Sequence, residues 1–345
     1  VSASSPGISA NPGIETLAEA QAALQGATCW LITDGKMGDL AQCLGVAERL
    51  SLTSESRVIR PRAPLSWLMP WGGIDPREAP ERSDSPIAPP FPDLAIASGR
   101  RAAPYLVRIK RASLGKTFTV FLKDPRSGPR TADFLWVPQH DRLRGSNVLT
   151  TLTGPHRIAP ERLAEARAQP APWSTDRRPL LGVLLGGRSK DFAWNETDDA
   201  RLKTALLAAI AEGFRLIVTP SRRTGGPLLK AVQQVCRESD GYLWDFEGAN
   251  PYLAILAHAD HLLVTADSTN MVAEAAATGK PIHVFRPTGG SRKIDQFLSG
   301  LEALGAIRPF QPTLEAFTYQ PIDATPEIAI ALAQRFRDHR ARLGT

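Results

Sequence analysis

Cysteine is scarce in this 345-residue chain: Cys29, Cys43 and Cys236 are three in number, widely spaced and without a Cys-x-x-Cys pair. An odd, scattered set argues against a disulfide framework and makes a reducing, cytoplasmic setting the default expectation. Long apolar runs are missing too. The longest, such as Ala205–Ala211 and Tyr252–Ala257, fall far short of the roughly 20 residues that span a bilayer, so no transmembrane helix is expected. Residues 1–26 lack a basic n-region and an apolar h-region and read as a loose tail, not a signal peptide. There is no Gly-x-Ser-x-Gly elbow, no Gly-Lys-Ser/Thr phosphate loop and no zinc motif, which argues against a nucleophilic hydrolase and a P-loop kinase. His258-x-x-His261 has tolerable ligand spacing but no third ligand nearby, so it reads as structural, and neither a metal nor another cofactor is expected.

What is present is the composition of a packed globular protein, with 43% apolar and 22% charged residues. The length suits two domains better than one. A formal charge of +6 suggests anionic partners. The basic excess is densest from Arg100 to Arg130, where nine Lys and Arg face a single acid, Asp124. No nucleic-acid module accompanies it and aromatics are not interleaved, so no nucleic-acid partner is expected. Beside the loop carrying Trp67, Leu68, Met69 and Trp71, it suits an anionic membrane face or a lipid-linked acceptor. The alternative is a solvated basic face with those tryptophans buried in the core.

Hydrophobic patterning gives the architecture. Residues Ala27–Thr33 read as a strand, Asp34–Gly38 as a glycine loop, and Leu40, Leu44, Ala47 and Leu50 as one stripe of a helix. A strand at Arg57–Arg60 leads into Pro61–Pro92, where nine of 32 residues are proline, a long loop. Strands follow at Asp93–Ala97, Thr117–Leu122 and Phe134–Val137, with a helix over Arg101–Ser113. After a Pro- and Arg-containing linker at Ala168–Arg178 the pattern restarts. Strands at Leu180–Leu185, Arg215–Val218, Tyr242–Trp244, His261–Thr265 and Ile282–Phe285 alternate with helices over Asp198–Glu212, Pro227–Arg237, Tyr252–Ala257 and Thr269–Thr278. The expected fold is α/β: two Rossmann-like domains facing a central cleft, spanning 27–168 and 169–325. A terminal helix over 326–345, with Ile328, Leu332 and Phe336 on one stripe, is expected to fold back on the first domain.

Ligands of such sheets sit at the carboxyl ends of the strands. Three polar turns occupy that place in the second half: Gly186-Gly187-Arg188, Ser221-Arg222-Arg223 and Asp267-Ser268-Thr269-Asn270. Paired glycines let backbone approach an anion, arginines add charge, and a helix start offers free amides to a phosphate. Glu274, one to two turns into that helix, is placed to accept from ribose hydroxyls. The plainer reading is that Ser268 or Thr269 caps the helix and Glu274 is solvated. In the first half, Asp34 at the strand-to-helix turn either caps the helix or serves as a general base. His140-Asp141 is a second acid–base pair, provided the loop turns enough to bring both side chains together.

The segment Asn250–Pro281 resembles the donor-binding signature of GT-B glycosyltransferases, in which a small-residue turn, a helix, a Glu and a Gly-x-Pro hold a nucleotide-sugar. Glu274, Gly279 and Pro281 match it, while Ser268-Thr269-Asn270 stands where the signature usually carries Gly. Over roughly 28–340 the chain resembles the mitochondrial-fission "elongated mitochondria" family. The matching pieces are Thr33-Asp34-Gly35-Lys36-x-Gly38 with Gln42, Ser98-Gly99-Arg100-Arg101, Asp124-Pro125, His140-Asp141, Gly154-x-His156-Arg157, Gly186-Gly187, Thr219-x-Ser221-Arg222-Arg223-Thr224 and Asp267-Ser268-x-Asn270-Met271-x-x-Glu274. The resemblance implies a metal-independent glycosyltransferase, with a nucleotide-sugar donor on the second half. Gly35, Lys36, Gly38, Ser98, Gly99 and Arg100 would lie on the acceptor side, with Asp34, His140 and Asp141 as catalytic candidates. It also implies two alternatives, a non-catalytic GT-B-shaped adaptor and a nucleotide-sugar epimerase. The expected location is cytoplasmic, with the inner face of the membrane as a peripheral site.

Overall fold

A computed structural model describes residues 13–173 and 176–344. The described chain divides into two compact units: residues 13–136, 143–149 and 325–344 make the first, and 137–142, 150–173 and 176–324 the second. Composition placed the division at the Ala168–Arg178 linker. Instead it falls at 137–150, because helix Pro160–Ala168 packs on helix Tyr252–His258 of the second unit.

In the first unit the elements are α1 (Leu17–Ala23), β1 (Cys29–Thr33), α2 (Met37–Arg49), β2 (Ser54–Val58), α3 (Leu65–Leu68), β3 (Leu94–Ser98), α4 (Ala102–Ala112), β4 (Phe118–Leu122), β5 (Phe134–Pro138) and β6 (Val148–Thr151). They form a sheet of order β2-β1-β3-β4-β5-β6, and the five strands from β2 to β5 pair in parallel. β1, β3 and β4 are buried at every position, as strands covered on both faces must be, which is why they read as apolar runs. β2, Ser-Glu-Ser-Arg-Val, is half exposed and polar, the composition of an edge.

Two expectations change here. The segment read as a tail carries α1, whose Thr16 and Glu19 form a reciprocal capping box; residues 1–12 of that tail lie outside the described chain. The proline-rich loop contains α3 and a 3-10 turn at Pro76–Glu78. Asp75 anchors that turn: its side chain is 1% exposed and takes two hydrogen bonds of 2.7 Å from the Arg62 guanidinium.

The second unit contains α5 (Pro160–Ala168), β7 (Leu180–Leu185), α6 (Glu196–Ala211), β8 (Arg215–Pro220), α7 (Gly226–Glu238), β9 (Tyr242–Leu243), α8 (Tyr252–His258), β10 (His261–Thr265), α9 (Thr269–Ala276), β11 (Ile282–Phe285), α10 (Arg292–Ala303) and β12 (Ile307–Pro309). Its parallel sheet runs β12-β11-β10-β7-β8-β9, so β7 and β10 are neighbours at its centre. α10 was not foreseen. It buries Ile294, Phe297, Leu298 and Leu301, an i, i+3, i+4, i+7 face. The terminal helix α11 (Thr325–Leu343) belongs to the first unit, where it packs on α1, α2 and β4 through Ile328, Leu332 and Phe336.

Candidate functional site

In the second unit three strands deliver their C-terminal loops to one place. β7 ends at Gly186-Gly187, β8 at Ser221–Thr224 and β10 at Thr265–Ser268. The Gly186 amide donates to Thr265 Oγ1 and the Gly187 amide to Asp267 Oδ2, both at 2.8 Å. The Ser221 and Thr224 hydroxyls both donate to the Gly186 carbonyl. Glycine is required twice: a Cβ on Gly186 would stand 2.0 Å from Asp267 Oδ2, and one on Gly187 2.0 Å from the Arg223 carbonyl.

Asp267 is the electrostatic hub. Its side chain is fully buried, Arg223 Nη2 lies 2.9 Å from Oδ2, and Oδ1 has no hydrogen-bond partner. Arg223 also donates to the Gly187 and Arg188 carbonyls. It therefore braces the glycine loop, while Arg188 and Arg222 remain exposed. Ser268 is the N-cap of α9, accepting from the Met271 amide at 3.5 Å, as the plainer reading had it. The amides of Thr269 and Asn270 open the same first turn.

Glu274 is not fully solvated. Its half-buried carboxylate accepts from the Tyr252 hydroxyl of α8. Burial pushes its pKa up to about 7, and the Tyr252 bond opposes only part of that rise. Burial and the neighbouring Glu274 hold the Tyr252 phenol well above its usual value, so it stays a neutral donor. Tyr252, Thr265 and Asp267's pairing with Arg223 were missed as a set, because each depends on side chains brought together from different strands.

His140 and Asp141 belong to the second unit. The Asp141 amide donates to the Pro138 carbonyl at 2.9 Å, so the chain does turn after β5. The two side chains nevertheless take separate partners. Asp141 pairs with Lys293 of α10. His140 packs edge-on against Phe297, and burial holds its imidazole below the ordinary range. His258 contacts the Ala166 carbonyl, and His261 stacks on His283.

In the first unit the C-terminal ends of β1, β3 and β4 gather a second polar cluster. Asp34 does not cap α2, whose N-cap is Lys36 with no side-chain bond. Its side chain is 2% exposed, and neither carboxylate oxygen has a hydrogen-bond partner. Charge is balanced by Lys36 Nζ at 3.2 Å and Arg101 Nη1 at 3.8 Å. Beside it, Asp39 pairs with Lys123 Nζ at 2.7 Å and accepts from Ser98 Oγ at 3.4 Å. Gly99, at φ +90°, lets the turn after β3 pass close by: a Cβ there would meet Asp39 Oδ2 at 2.9 Å. Gly35 closes the β1 turn, its amide donating to Thr33 Oγ1. Gly38 lies in the first turn of α2. Arg100 turns aside to donate to the Met69 carbonyl. Met69 is buried, but Trp67, Leu68 and Trp71 are 69%, 58% and 71% exposed, so the buried-core reading fails for both tryptophans.

Comparison with known proteins bears on family and fold. A family profile described as Mitochondrial fission ELM1 matches residues 37–336. The mitochondrial fission protein ELM1 of Arabidopsis thaliana is 26% identical over 269 residues, 69% of this chain and 62% of that protein. The uncharacterized protein RP120 of Rickettsia prowazekii is 31% identical over 162 residues, 44% of this chain and 45% of that protein. The chain thus spans about half to three-fifths of the curated relatives it matches. Among solved structures, the UDP-GlcNAc 2-epimerase of Methanocaldococcus jannaschii aligns with a TM-score of 0.51 at 11% identity, over 88% of this chain and 97% of that one. That likeness is one of fold, two Rossmann-like α/β units of the GT-B kind. Among the described residues no helix is long and apolar enough to cross a membrane.

Proposed function

The chain belongs to the mitochondrial fission ELM1 family, and from that premise and its GT-B fold we propose that it is a glycosyltransferase whose second unit holds a nucleotide-sugar donor. One observation carries the reading: the convergence of the 186–187, 221–224 and 265–268 loops around buried Asp267, with Glu274 one to two helix turns beyond. The glycine-loop amides are taken up in bracing that cradle, so the diphosphate meets the Thr269 and Asn270 amides in the first turn of α9, while exposed Arg188 and Arg222 supply positive charge. Glu274 is the acceptor for the ribose hydroxyls, which replace the Tyr252 hydroxyl on its carboxylate. In the first unit, Asp34 is the base for the acceptor hydroxyl. Its Oδ1 is buried with no partner among the described residues, so a hydroxyl that reaches it meets an unsatisfied acceptor beside the Lys36 ion pair on Oδ2. The acceptor oxygen then attacks the anomeric carbon, its proton passes to Asp34, and the nucleoside diphosphate departs with the bonding pair.

The exposure of Trp67, Leu68 and Trp71 favours an acceptor or docking surface at an anionic membrane, with the protein peripheral on its cytoplasmic face. The experiment is a thermal-shift and calorimetric panel with UDP, UDP-GlcNAc and other nucleoside diphosphates, on the wild type and Glu274→Ala. A ligand selective for the folded state raises its melting temperature. Loss of one hydrogen bond to a charged group is expected to cost about 1.5–3 kcal/mol of affinity. Binding by no nucleotide in the panel would defeat the donor site and leave the adaptor reading. Conversion of a bound nucleotide-sugar without any acceptor would identify an epimerase instead.

A further inference from the structure

At the N-terminal edge of its sheet, away from the strand ends that carry Asp34, the first unit has a cavity of about 760 Å³. It lies among the start of β4, Asp133 just before β5, the 145–147 loop before β6, and the outer faces of α4 and α11. Four cations line it, Lys110, Arg130, Arg335 and Arg342, against two carboxylates, Asp133 and Asp338.

One carboxylate is ion-paired and the other is bound only by a neutral amide, so four cations against two carboxylates leave the lining net positive. Asp133 pairs with Lys110 and takes hydrogen bonds from the Thr119 amide at 2.9 Å and the Thr119 hydroxyl at 2.7 Å. Asp338 accepts from Gln334 at 2.9 Å. Arg335 donates only to the Ser146 carbonyl, and exposed Arg130 and Arg342 have no carboxylate partner among the described residues. The wall is built in advance: Asn147 Nδ2 donates to the Pro129 and Ala132 carbonyls, both at 2.9 Å, clamping the turn that carries Arg130. The floor is Phe118, 1% exposed and edge-on to Phe336.

We propose that this cavity is an anion site for a small molecule bearing two or more phosphates, separate from the donor site of the second unit. Three guanidiniums around a concave, partly apolar wall focus positive potential there. Their planar forks match phosphate oxygens in pairs, which a point-charge ammonium does not. The volume falls within the usual range for small-ligand sites, about 300–1,000 Å³, large enough for a polyphosphate with an organic group. A ligand bound there would tie α11 to the 128–147 segment. The competing account is that Arg342 and its neighbours only complement the carbonyl end of α11.

Calorimetry with inorganic tripolyphosphate separates these, using an Arg188→Ser/Arg222→Ser protein in which the proposed donor cradle is weakened. That protein is expected to bind tripolyphosphate with one site, and further Arg130→Gln/Arg342→Gln substitution is expected to weaken binding at least tenfold. Without the anion, the melting temperature of Arg130→Gln alone should be unchanged, since Arg130 has no partner to lose. Equal affinity with and without Arg130 and Arg342, or no binding in the Arg188→Ser/Arg222→Ser protein, would overturn the assignment. Binding restricted to anionic vesicles, with none to soluble tripolyphosphate, would overturn it as well.

Discussion

Replacing Glu274 with Gln tests the half-buried carboxylate without any substrate in hand. Gln keeps an oxygen acceptor for the Tyr252 hydroxyl and resembles the protonated acid, but it never takes a charge. In the wild type, burial raises the Glu274 pKa from its ordinary 4.5 to about 7. The folded state therefore holds the proton more tightly than the unfolded chain. The sign follows from linkage: stability associated with this group is fully present below pH 4.5 and is lost as pH rises through 7. A rise of that size corresponds to at most about 3–4 kcal/mol. Solvent at the half-buried carboxylate reduces this to roughly 1–2 kcal/mol. Urea unfolding of both proteins at pH 5 to 9, without ligand, is the assay. Glu274→Gln should gain on the wild type between pH 5 and 7.5 and hold a constant advantage above that. A difference between the two proteins that is flat in pH, or that favours the wild type at pH 8, would refute the reasoning.

Asp34→Asn keeps the size of a side chain that is 2% exposed while removing its basicity, so turnover should fall about 10²–10⁴-fold with donor affinity unchanged; near-normal turnover once donor and acceptor are found would move attention to His140 and Asp141. Gly187→Ala places a methyl 2.0 Å from the Arg223 carbonyl, so a loss of about 1–3 kcal/mol in unfolding free energy and weaker nucleotide binding are expected, whereas a wild-type melting curve would mean the loop yields freely. Trp67→Ser with Trp71→Ser should leave the unfolding free energy within about 0.5 kcal/mol of wild type, both being exposed, yet reduce sedimentation with anionic liposomes. Unchanged sedimentation would sink the membrane face.

The sequence alone determined the alternation of strand and helix, and with it the α/β class. Strands such as Cys29–Thr33 and Leu181–Leu185 are buried on both faces and so must be apolar throughout. It also marked the polar loops of the candidate site, because polar residues and glycine interrupt the apolar runs where the parallel strands end. Tertiary structure alone decided what those residues do. Arg223 and Asp267 are 44 positions apart in sequence, and only the adjacency of β7, β8 and β10 makes them an ion pair under the glycine loop. Tyr252 reaches Glu274 because α8, packed on β7 and β8, comes beside α9, which packs on β10. No periodicity encodes that meeting, yet it turns a carboxylate expected to be solvated into one that titrates near neutrality. Asp34 shows the same limit: a turn aspartate before a helix reads equally as a cap or a base, and the placement of Lys36 at the cap position decides against the first. For Trp67 and Trp71, composition predicted only that large apolar side chains need cover. The path of α3 and the residues just after it, with Met69 inward and both indoles exposed, depends on contacts that this short segment does not specify by itself.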